Sequence, residues 1–153
     1  MYNINTNKAM GENKMMKKID DIVKNKNEAE KLLKTVREIL KRNETGDIEP
    51  LMKKIILCRL MIEDDETDDL KKLAILSIKQ QDRENGKLSD SVILSKIEKY
   101  DCHQTNLVAQ KKTLLIMFIE KELELCFEDE DAVGINTIHD LCQIIWKYQE
   151  KQV

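Results

Sequence analysis

Residues 106–127 read NLVAQKKTLLIMFIEKELELCF, twenty-two positions with neither glycine nor proline. The apolar positions Leu107, Val108, Leu114 to Ile119, Leu123, Cys126 and Phe127 span too far for a strand, which runs about 4–8 residues. Asn106 stands where a helix cap belongs. This is the most apolar helical stretch in the chain, and it is expected to lie at the centre of the fold.

On the C-terminal side, Glu128 to Asp131 and Gly134 close that helix as an acidic turn. Thr137, with Asp140 three residues on, then reads as a capping pair for a last helix bearing Ile138, Leu141, Cys142, Ile145, Trp146 and Tyr148. On the N-terminal side, Ser89 is placed to cap a helix with Val92, Ile93, Ile97 and Tyr100. Before it, Thr67 is placed to cap one running from Leu70 to a stop at Asn85–Gly86. Pro50 suits the first turn of a helix whose apolar residues, from Leu51 to Met61, fall on more than one face.

The first helical region carries Met15, Ile19, Ile22, Ala29, Leu33, Val36 and Leu40 at alternating steps of four and three, with Lys26 in the missing place. Asn27 followed by Glu30 reads as a fresh cap, so two pieces are expected, about 14–25 and 28–43. The whole sequence holds one proline and four glycines, which leaves little room for strands and tight turns. The fold class is therefore all-α: a single compact bundle of about six helices around a strongly apolar central helix, about 106–127. Residues 1–12 are expected to be a flexible N-terminal tail and residues 13–153 a single helical domain.

At 153 residues the chain is long enough for a core of its own, since such a chain buries roughly 70% of its unfolded surface. Apolar residues at 41% and charged residues at 36% exclude a disordered tail. The longest apolar run, Leu114 to Ile119, is far short of the roughly 20 residues of a membrane span, so no membrane insertion is expected. No apolar leader follows Met1, which points to a cytoplasmic or nuclear protein with Cys58, Cys102, Cys126 and Cys142 reduced. Abundant Lys, Ile and Asn match coding from an AT-rich genome, as in many viruses and some pathogens. Between Lys14 and Arg42 stand ten basic and five acidic residues, so that segment carries about +5 within a net charge of −3.

Chemistry-bearing motifs are few. Cys102–His103 and His139-x-x-Cys142 have metal-ligand character, but adjacent residues do not both reach one ion, and Cys142 lies on an inward stripe. Asp129 to Asp140 brushes against a calcium-loop pattern, yet Val133 and Asp140 stand where oxygen-rich ligands are needed. There is no phosphate-cradling glycine loop and no G-x-S-x-G or H-E-x-x-H. No catalytic residue, metal or cofactor is assigned, and no enzyme is expected.

The sequence points instead to a non-enzymatic helical module, an adaptor or regulator that binds another protein. Trp146 and Tyr148, two apart at the end of the last helix, are the candidate partner-binding residues, because exposed aromatics dominate binding hot spots. An alternative is a nucleic-acid-associated accessory factor using the basic segment 14–42. The heptad stripe leaves two destinations open, a second copy in a homodimer or the chain's own core.

Overall fold

The long first helix shows how the rest is assembled. A computed structural model describes residues 4–42, 47–84 and 106–151. Among them are six helices and no strand: α1 Ile4–Lys41, α2 Glu49–Leu60, α3 Leu70–Glu84, α4 Leu107–Leu123, α5 Asp129–Val133 and α6 Ile138–Lys151. The expected helix after Ser89 and the Cys102–His103 pair lie outside the described residues.

α1 is continuous, where two pieces were expected. It passes through Asn25–Asn27 unbroken, from Ile4 to Lys41. Asparagine costs a helix interior only some tenths of a kcal/mol, and Asn27 points to solvent instead of capping. Ala29, Leu33, Val36 and Leu40 are each at most 2% exposed, packed where α1 meets α2 and α4. That burial favours carrying one helix through the site of the suspected cap.

α2 is the element its neighbours share. Glu49 and Pro50 open it, and the Glu49 amide donates to Asp47 Oδ1 at 3.0 Å. Met52, Ile55, Ile56 and Leu60 are buried, and α1, α3 and α6 all pack on this helix. α4 lies to the side, against α1 and α3, with Leu114 66% and Met117 57% exposed. The apolar run of α4 is thus only partly inward, with Leu115, Ile116, Ile119 and Leu123 in the core.

α4 also ends earlier than its apolar residues suggest. Glu124 adopts a left-handed backbone at φ 55°, and the Leu125 amide donates to the Glu120 carbonyl at 2.9 Å, closing the helix without a glycine. Beyond that end Leu125 and Phe127 turn inward while Cys126 between them faces out. Cys126 is not the buried helical thiol that a helix reaching Phe127 implied.

Two helix starts are tied to each other. The Leu70 amide donates to the Asn136 carbonyl and the Ile138 amide to the Asp68 carbonyl, both at 3.0 Å. Lys53 of α2 donates to the Thr67 carbonyl and reaches Asp68 Oδ1 at 3.3 Å. Asp69, not Thr67, caps α3, accepting from the Lys72 amide at 3.1 Å; the Thr67 hydroxyl accepts from the Asp69 amide instead. At α6 the expected capping pair is present: Thr137 Oγ1 accepts from the Asp140 amide, and Asp140 Oδ2 accepts from the Thr137 amide, each at 3.1 Å.

Candidate protein-interaction surface

The two aromatics singled out from the sequence belong largely to the core. Ile138, Leu141, Ile145 and Tyr148 follow helical spacing, and Tyr148 is only 9% exposed. Its ring lies 5.1 Å from that of Phe127, tilted by 55°. Its hydroxyl donates to Asp131 Oδ2 and accepts from the Glu128 amide at 2.9 Å. Tyr148 therefore fastens α5 to α6. Trp146 is half-buried against the same core. The acidic turn that follows α4 is the helical turn α5, and Tyr148 and Lys147 hold its Asp131, the latter at 3.3 Å. The hydrogen bond from Tyr148 leads the causes that keep the Asp131 carboxyl below its ordinary range.

The metal-like residues are separated by their surroundings. Cys142 is buried, and burial pushes its thiol up to about 12. His139 sits at the surface and pairs with Glu49 at the start of α2; that hydrogen bond raises its pKa. Asp140 is committed to the amides of Asn136 and Thr137, which lower its pKa. The described residues hold no cluster of three or more His, Cys, Asp or Glu side chains suited to a metal ion. They also hold no helix long and apolar enough to cross a membrane.

What the described surface does offer is on the outer part of α1. Met16 is 63% exposed, Ile19 54%, Ile22 42% and Val23 50%. At 100° per residue these four span about a third of the helix circumference, the width of a stripe that normally faces a core. Ile19 and Ile22 belong to the same heptad series as Leu33 and Val36, which α2 and α4 cover. One stripe thus has a covered half and an open half. Beside the open half lies a shallow depression of about 400 Å³, whose lining includes Val23, Asn27 and Lys31.

The sequence already carried this signal in its heptad steps. It could not show where the covering helices stop, because that depends on the length and position of α2. No family model, curated protein or solved structure matches the chain.

Proposed function

We propose that the protein is a non-enzymatic helical interaction module whose binding element is the outer half of α1. The observation that carries this reading is the open stripe of Met16, Ile19, Ile22 and Val23. Four neighbouring large apolar side chains on one helix face are the anchors used when amphipathic helices pair or enter a groove. The packed half, from Ala29 to Leu40, holds the element rigidly against α2 and α4. The titratable groups with shifted pKa values support the non-enzymatic part, since Asp131, Asp140 and His139 are each engaged by a structural neighbour.

The nucleic-acid alternative has less support. The cations between residues 14 and 42 are distributed around α1 with acids among them, and Arg37 reaches Glu124 at 2.6 Å. The test is retention of cellular proteins by the full chain compared with Ile19→Asp. The proposal expects a set of partners lost with Ile19→Asp and stable to added salt. Partners unaffected by Ile19→Asp contradict it, and binding that collapses steeply with salt favours nucleic acid.

A further inference from the structure

We infer that the open half of α1 pairs with the same half of a second copy, antiparallel and centred on Ile19. This rests on the reading of that stripe as the binding element and names its occupant. Two features of the sequence, placed on one helix by the structure, carry it.

The first is charge. Residues 8–18 carry a net +3 (Lys8, Lys14, Lys17, Lys18 and Glu12), and residues 20–30 carry a net −2 (Asp20, Asp21, Glu28, Glu30, Lys24 and Lys26). The sign changes at Ile19. A parallel in-register pair would set +3 against +3 and −2 against −2. An antiparallel pair centred on Ile19 sets each end against its opposite.

The second is the interrupted stripe. Lys26 occupies the step between Ile22 and Ala29 where the heptad calls for an apolar residue. In the parallel pair it meets the Lys26 of the other copy. In the antiparallel pair the position opposite 26 is 12, a glutamate in the same heptad series. The same register places Met16 opposite Ile22, and Ile19 on the twofold axis. Polar positions of opposite sign in a heptad stripe, Glu12 and Lys26 here, fix orientation in this way.

The covered half limits how far the pairing extends. From Ala29 onward the stripe is occupied by the chain's own helices. The available overlap, residues 10–28, is roughly 28 Å of helix. A single helix pair of that length is smaller than the interfaces obligate dimers use, so the dimer is reversible.

The experiment is sedimentation equilibrium of the full chain over a wide concentration range, with circular dichroism checking that each variant stays helical. Wild type is expected to interconvert between monomer and dimer, and Ile19→Asp to raise the dissociation constant by about tenfold or more. The charge variants test orientation. Lys17→Glu with Lys18→Glu gives the first end the sign of the second. It weakens an antiparallel dimer but strengthens a parallel one. Adding Asp20→Lys and Asp21→Lys swaps both signs and restores the antiparallel dimer. A wild-type chain that stays monomeric throughout overturns the proposal, as does a dimer that tightens with Lys17→Glu and Lys18→Glu. Neither result touches the broader reading of the stripe, which falls only if Ile19→Asp leaves retention of other proteins unchanged.

Discussion

Cys126 and Cys142 differ by local geometry that their sequence surroundings conceal. Both stand among apolar residues, yet Cys142 is 3% exposed on the inward face of α6 while Cys126 faces solvent beyond the end of α4. A thiol at about 12 is almost wholly protonated near neutrality, and the thiolate is the reactive form. Alkylation mapped by mass spectrometry should modify Cys126 quickly and Cys142 only on unfolding; rapid labelling of Cys142 in the native chain would contradict the burial. Tyr148 teaches the same lesson about legibility. Its place on the Ile138, Leu141, Ile145 stripe was readable from helical spacing. Its anchoring role was not, because that depends on Asp131 and Glu128 being brought back across the end of α6.

Helix starts were more legible than helix stops. Asn106, Pro50 and the Thr137–Asp140 pair act where the sequence placed them, because a cap is a local arrangement of a few side chains and amides. Thr137→Ala should cost about 1 kcal/mol in chemical denaturation, with the fold retained. An unchanged midpoint would mean that the Asp68–Ile138 tie holds the α6 start alone. The end of α4 and the unbroken α1 were not legible, since a left-handed Glu124 and a bypassed Asn27 are decided by packing. α1 itself offers a matched pair of substitutions. Leu33→Ala, within the covered half, should destabilise by about 2–5 kcal/mol, whereas Ile19→Ala in dilute monomer should stay within about 0.5 kcal/mol. Equal losses at the two positions would show that the outer half is covered in the monomer as well.

At the scale of the whole molecule the sequence identified an all-α protein, but which helix its neighbours share was not legible in it. The apolar content of α4 exceeds that of α2, yet position decides which helix is shared, and α2 lies between α1, α3 and α6. The same assembly gives stability a pH dependence. Glu49 holds the His139 pKa above its ordinary 6.5, so the α2–α6 pairing contributes fully below 6.5 and is lost as pH rises through the raised value. Asp131 and Asp140 are held below 3.8, so their contributions are present above 3.8 and lost as pH falls through the lowered values. Thermal melts should therefore be higher at about pH 5.5 than at about pH 8, by a small margin because His139 is exposed. Glu49→Gln should remove that difference; a difference that persists unchanged would assign it to another group.

The central claim is that α1 has a half covered by its own chain and a half left open for a partner. Amide hydrogen exchange along α1 at low and high protein concentration reads both halves in one measurement. Amides from about Leu33 to Leu40 should be strongly protected at every concentration. Those around Met16 to Lys24 should exchange fast in dilute solution and become protected as concentration rises. Strong protection of the outer half in dilute solution, or none at any concentration, would contradict the account.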